Sequence, residues 1–312
     1  MSDSNVDTQR TPENVAVEWS IIIPCGDDAE GVEITLKSLL VCRPDGWPGE
    51  MLVVNDGGHP AVSETVAKFP EVREIIQKPN AGSYAARNLG IEKAKGDILS
   101  FIDAGCWIDA NWYDEAKKAI AQADYVAGNI IIPREICKTL GHKYSYVMEF
   151  PVENYFERDG YGPTANLTIR RKVIDICGPF DDRLRSGGDL EFGSRVRANG
   201  TVSRLLSLDM VVFHEPRSLA QIWRKQTRTF SGARVLADLY PERFGSRHPA
   251  VPGAVSFARR MKWLLRPPSP FKGPKHPPLT FGLATGLSIV LLVWYGKWRQ
   301  AYNARKDLNF DG

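Results

Sequence analysis

Residues 80–104 read NAGSYAARNLGIEKAKGDILSFIDA. A turn at Asn80-Ala81-Gly82 opens a helical pattern, Gly96-Asp97 stops it, and a short apolar run follows that ends on an acid, Asp103. Working outward, WSIIIPC (19–25), EMLVVND (50–56) and VREIIQK (72–78) are short apolar runs, separated by the helical patterns EGVEITLKSLL (30–40) and AVSETVAKF (61–69). Alternation of this kind predicts βαβ units and an α/β fold with a mostly parallel central sheet flanked by helices. Ligands of such sheets bind beyond the carboxyl ends of the strands, here at Asp56-Gly57-Gly58 and Asp103-Ala104-Gly105.

The second half is more mixed. A helix is expected near Asp109 to Gln122, a strand at DYVAGNIII (124–132), a helix near Cys137 to Phe150 and a strand at TANLTI (164–169). A further helix follows the glycines of SGGDLEFGSRVRANG (186–200), then a strand at MVVFHEP (210–216) and a basic helix from Ser218 to about Leu239. No repeat of solenoid length is present.

The 312 residues are 43% hydrophobic and 25% charged, an ordinary globular balance with room for one large core. The five cysteines (Cys25, Cys42, Cys106, Cys137, Cys177) form no C-x-x-C pair, which excludes a zinc ribbon and a disulfide framework and suits a reducing compartment. Net charge is +3, but Arg217 to His276 holds thirteen Lys/Arg against two Asp/Glu, so +11 there leaves −8 elsewhere. An uncharged run from Pro277 to Gly296 follows at once, long enough to cross a bilayer at ~1.5 Å per residue. Membrane phosphate is therefore the expected anionic partner, and nucleic acid is not. The expected organisation is a loose leader over 1–14, an α/β domain over 15–245, a basic interfacial helix and proline-rich linker over 250–278, a transmembrane helix over 279–296 and a short basic tail over 297–312. Basic residues are denser before the span than after it, which predicts an inner-membrane protein with its α/β domain in the cytoplasm. Gly282-x-x-x-Gly286 offers a packing face for a homo-oligomer.

Several motifs fail on context. Gly160-Tyr161-Gly162-Pro163-Thr164-Ala165 spells G-x-G-x-x-A but follows no buried strand, and Gly188 to Gly193 has P-loop spacing but Ser194-Arg195 where Lys-Ser/Thr belongs. There is no H-E-x-x-H and no G-x-S-x-G elbow.

Four pieces occur in an order that resembles the family 2 glycosyltransferases of the GT-A fold: SIIIPC, VVNDGG, the 80–104 block, and GGDLEFGSRVRANG. The resemblance spans roughly Trp19 to Ser231. It implies the GT-A nucleotide-diphospho-sugar transferase fold, to which the sequence adds a C-terminal membrane-associated helical segment. It also implies a hexosyltransferase-like enzyme that moves a sugar from a nucleotide-diphosphate-sugar donor to a glycan or lipid-linked acceptor in cell-surface polysaccharide or glycolipid synthesis.

The resemblance further implies donor binding by Pro24, Asn55, Asp56, Arg87, Asn88, Asp103 and Asn166, with Arg224 and Arg228 late in the chain facing the diphosphate. Asp103 takes the place of the first acid of the family's D-x-D signature, with His214 as a second metal or phosphate contact. The implied cofactor is Mn or Mg, although Gly105 stands where the second acid belongs. Asp189 falls at the family's catalytic base, with Glu191 beside it, and inverting transfer follows. Plain structural readings compete. Ser186 to Asp189 is also an S-x-x-D capping box, and Glu191 and Arg195 have the i, i+4 spacing of a helix ion pair. Two rival functions remain: a catalytically inactive, membrane-bound nucleotide-sugar binder, suggested by Asn55 and Gly105, and a sugar-phosphate nucleotidyltransferase, for which no glycine-rich N-terminal phosphate loop is seen.

Overall fold

A computed structural model describes residues 18–245 together with Ser288 and Leu291. The first half alternates as expected: β1 (Trp19–Cys25), α1 (Ala29–Cys42), β2 (Gly49–Asp56), α2 (Pro60–Val66), β3 (Val72–Gln77), α3 (Ser83–Lys93) and β4 (Ile98–Phe101). Then come β5 (Cys106–Ile108), α4 (Trp112–Ile120), β6 (Tyr125–Ile131), α5 (Leu140–Met148), a single turn α6 (Val152–Asn154) and β7 (Leu167–Arg170). The described chain closes with α7 (Lys172–Cys177), α8 (Gly188–Asn199), β8 (Arg204–His214), α9 (Leu219–Leu239) and α10 (Pro241–Phe244).

The eight strands form one sheet in the order β3-β2-β1-β4-β7-β6-β8-β5. β1 pairs in parallel with β2 and β4, β2 with β3, and β6 with β8. β4–β7, β6–β7 and β5–β8 are antiparallel. The sheet is therefore mixed where the sequence predicted a mostly parallel one, because β7 runs against both of its neighbours and β5 against β8.

Period-two alternation explains how the first strands seat both faces. Ile21, Ile23, Met51 and Val53 pack in one buried cluster with Val32, Leu36 and Leu39 of α1 and Val62 of α2. Ile22, Leu52 and Val54 pack in the other, with Ala86 and Ile91 of α3 and Phe192 and Val196 of α8. The strand ends inherit this assignment. Asn55 continues the face of Val53, whereas Asp56 continues the face of Val54 and turns toward α3.

Local signals set the helix starts. The Asp28 carboxylate accepts from Gly31 N–H at the head of α1. Ser218 and Gln221 make a reciprocal capping box on α9. At α8 the sequence-based capping box does not form: the cap is Gly187 at φ +88°, without a side-chain bond, and Gly188 follows. A Cβ on Gly188 would lie 2.7 Å from the Tyr84 ring, so this helix start approaches α3 as closely as only glycine allows.

Among the described residues no helix is long and apolar enough to cross a membrane. The leader 1–14, the interfacial segment 250–278 and the tail 297–312 lie outside the described residues, as does the expected span 279–296 apart from Ser288 and Leu291.

Candidate active site

The carboxyl ends of β2 and β4, the start of α3 and the start of α8 converge on one side of the sheet. Asp56, 4% exposed, accepts from Ala81 N–H at 2.8 Å and Gly82 N–H at 2.7 Å. Asn80 Nδ2 donates back to the Asp56 carbonyl at 2.8 Å. The acid is thereby the clamp that shapes the 80–82 turn at this end of the sheet.

Arg87 rises from α3 with 3% exposure, and its guanidinium donates to Asp103 Oδ1 at 2.5 Å. Burial disfavours that charge, yet Asp103 and Asp189 together hold its pKa above the ordinary arginine value. Its buried Nε–H has no partner among the described residues. Asp103 lies just past β4, its side chain 41% exposed, so one carboxylate oxygen is tied to Arg87 while the group still meets solvent.

Asp189, one residue into α8, is turned toward this ion pair. Its carboxylate accepts from Thr164 N–H at 3.3 Å and Thr164 Oγ1–H at 3.1 Å, and its own N–H donates to Tyr84 Oη at 3.3 Å. Burial pushes its pKa up, Arg87 opposes the rise and Asp103 adds to it. A carboxylate so held is a stronger base than one in water. Tyr155 and Tyr161 stack with ring centroids 5.0 Å apart, near enough for the Asp189 charge to act on both phenols. Tyr155 starts a π-helical turn running to Asp159, a rare geometry concentrated at functional sites.

Other expected site residues have different tasks. Asn55, fully buried, donates to the His59 carbonyl, Ser63 Oγ and Glu74 Oε1 and accepts from His59 N–H, so it fastens the turn after β2 from the face opposite Asp56. Asn88 pairs both amide groups with the backbone of Phe180. Asn166, also fully buried, accepts from the Trp112 indole and donates to the carbonyls of Asn129 and Met210. In all three a buried amide has both ends satisfied within the fold, which gives each residue a structural task beside the expected donor contact.

Glu191 is likewise engaged within the fold. It is fully buried, with Arg195 Nε donating to both oxygens at 2.9 Å and Arg243 donating to Oε1 at 3.2 Å. Two residues on a helix differ by roughly 200°, so Glu191 points away from the face that carries Asp189. The i, i+4 pair with Arg195 is present. Pro24 sits buried near the end of β1, opposite Val54.

Arg224 and Arg228 lie exposed on α9, and neither side chain makes a hydrogen bond or ion pair among the described residues. The inward residue is their neighbour Lys225, which donates to Glu149 Oε1 at 2.6 Å while Arg217 donates to Glu149 Oε2 at 2.9 Å. Sequence reasoning missed this cluster because helical phase, not composition, decides which of three adjacent cations faces inward. Lys225 and Arg217 also lie over the Phe150 ring, at 4.8 and 5.6 Å. The two cations hold the Glu149 carboxyl at about 2 despite its burial.

His214 ends β8 directly opposite Cys106 of β5, beside the Asp103 turn. Its Nδ1 is 2.5 Å from the Glu215 carbonyl and its Nε2 accepts from Arg217 at 2.8 Å, so both ring nitrogens are engaged. Burial and Arg217 lower its pKa to about 4. Among the described residues no group of three or more His, Cys, Asp or Glu is placed to hold a metal ion. Asp103 shares its carboxylate with Arg87, and His214 faces a guanidinium. The expected Asp103–His214 metal site does not fit these side chains.

Residues 20–180 match the sequence model of Glycosyl transferase family 2. That is half of the chain, and the protein belongs to this family of glycosyltransferases. The glycosyltransferase AglE of Haloferax volcanii is 28% identical over 219 residues, covering 68% of this chain and 72% of AglE. The putative glycosyltransferase EpsH of Bacillus subtilis is 30% identical over 136 residues, covering 40% of each protein. Among solved structures, S. aureus TarS (residues 1–349) in complex with UDP-GlcNAc superposes with a TM-score of 0.51 at 18% identity, over 70% of this chain and 65% of that one. GalNAc-T7 with UDP, GalNAc and Mn2+ gives 0.51 at 17% identity, over 65% and 44%. These structures show the mixed α/β, GT-A-like fold, and the chain spans less than two thirds of each of them.

Proposed function

We propose that the chain is an inverting glycosyltransferase that uses a nucleotide-diphosphate-sugar donor, with Asp189 as the base. One observation carries the reading: a carboxylate raised in pKa by burial stands beside Thr164 and faces the Arg87–Asp103 pair at the ligand end of the sheet. Asp189 takes the proton of an acceptor hydroxyl as the oxygen attacks the anomeric carbon. The bond from that carbon to the diphosphate oxygen breaks on the opposite face, and the electron pair leaves with the nucleoside diphosphate. Arg87 favours the charged form of Asp189, and the Asp56-clamped turn frames the donor.

Family membership supports the donor class, as does the UDP or UDP-sugar bound in the fold's neighbours. The acceptor in this reading is a glycan or lipid-linked sugar at the inner membrane, supported by the basic run from Arg217 to His276 and the uncharged run after it. The test is release of nucleoside diphosphate from a panel of nucleotide-diphospho-sugars by the purified chain, with and without acceptors. Binding without release or transfer for every donor would favour the inactive-binder reading instead.

A further inference from the structure

Three features of the Asp103 turn speak against a second carboxylate or a metal ion there. Gly105 has φ +85°, a conformation that strains any residue with a Cβ, and a Cβ built on it points at Asp28 Oδ2, 3.7 Å away. An acid at 105 would thus meet the carboxylate that caps α1. Asp103 is already neutralised by Arg87. The remaining ligand type, His214, accepts from the Arg217 guanidinium at the ring nitrogen that could turn toward an ion.

The same place is rich in protein cations. Arg217 is close enough to the turn for its charge to act on Cys106, which follows Gly105 directly. Lys225 meets Arg217 on the two oxygens of Glu149, and Glu149 in turn acts on Tyr155, beside Asp189. Arg217 also donates to His214, which pairs opposite Cys106, so the cluster adjoins the strand that follows the Asp103 turn. The side chains of Arg217 and Lys225 are 21% and 31% exposed, so neither is fully sealed from solvent. Lys225 uses one of its three donor hydrogens on Glu149, and Arg217 places one bond each from NH1 and NH2. Within the cluster, Arg217 and Lys225 stand against the single carboxylate of Glu149, whereas Arg87 is already balanced by Asp103 and Asp189.

We propose that Arg217 and Lys225, with Arg87, provide the positive charge that binds the donor's diphosphate and stabilises it as it leaves, in the place where relatives of this fold can use a divalent ion. The proposal rests on the donor reading above. Fixed guanidinium and ammonium donors give charge-assisted bonds to phosphate oxygens and need no reorganisation when charge develops on the leaving group.

The test is calorimetric titration of the full chain with UDP, GDP and ADP and with the matching nucleosides, in EDTA and again with excess MnCl2. For the diphosphate that binds, manganese should change the Kd by less than about threefold. Lys225→Met should weaken it by about tenfold or more, on the scale of one charge-assisted contact, without changing nucleoside binding. Lys225→Arg, which keeps the charge, should restore much of the loss and serves as the folding control. Glu149→Gln, which frees both cations, should tighten diphosphate binding. Binding lost in EDTA and restored by manganese overturns the proposal, as does Lys225→Met with unchanged diphosphate affinity. If none of the three diphosphates binds in either buffer while a nucleoside does, this proposal fails and the nucleotide reading survives. If no nucleotide or nucleoside binds at all, both fail.

Discussion

Asp189 and Glu191 stand two residues apart on α8 and have opposite surroundings. Asp189 accepts from Thr164 and faces Arg87, whereas Glu191 is sealed between Arg195 and Arg243. Asp189→Asn should therefore lower turnover by about 100-fold or more, the usual scale for an acid-base group, with little change in donor Kd. Glu191→Gln should retain turnover while losing about 2 kcal/mol of stability, since it leaves two arginines short of a counter-charge. Steady-state kinetics and thermal melts on the two variants separate the roles. A dead Glu191→Gln beside an active Asp189→Asn would move the base to Glu191.

The pH dependence of Asp189 has a definite sign. Its folded pKa lies above the unfolded value, so the ionised form is disfavoured on folding, and stability falls as pH rises through the folded pKa. Asp189→Asn should melt higher than the parent at neutral pH, and the gap should close as pH drops below about 4, where the acid is protonated in both states. Catalysis runs the other way, with activity rising as Asp189 ionises. Equal melting temperatures across that range would contradict the buried, raised carboxyl.

Glu149 has the opposite sign. Its pKa falls from 4.5 to about 2, so it stabilises the fold above the unfolded value, and this contribution is lost as pH drops through the folded one. Glu149→Gln should be less stable than the parent at neutral pH, with the difference shrinking between pH about 4.5 and about 2. Melts across that range check this.

Asn166→Ala removes the partner of the Trp112 indole and of two buried carbonyls. A loss of about 3 kcal/mol is expected, from unsatisfied buried groups and lost packing. Chemical denaturation measures it. If stability is unchanged and only donor affinity falls, Asn166 belongs to the binding site after all.

Asp56→Ala should release the Ala81 and Gly82 amides, weaken nucleotide binding by about tenfold and raise hydrogen exchange at those two amides. Unchanged protection there would show that the turn holds itself.

The sequence by itself determined the α/β class, the strand ends that carry Asp56 and Asp103, and Asp189 at a glycine-bearing helix start. Each of these is a local property: apolar runs of strand length, turn residues at their ends, and an acid in the first turn of a helix. The internal partners of Asn55, Asn88 and Asn166 were not legible, because an amide side chain is equally suited to a ligand or to distant groups of the fold. Which of these it meets depends on the pairing of segments as remote as Asn88 and Phe180. The choice of Lys225 over Arg224 and Arg228 depended on the phase of α9 against Glu149, and the mixed sheet depended on β7 reversing beside β4. These were decided only by tertiary structure, since burial and charge pairing act between elements and leave no local trace in the order of residues along the chain.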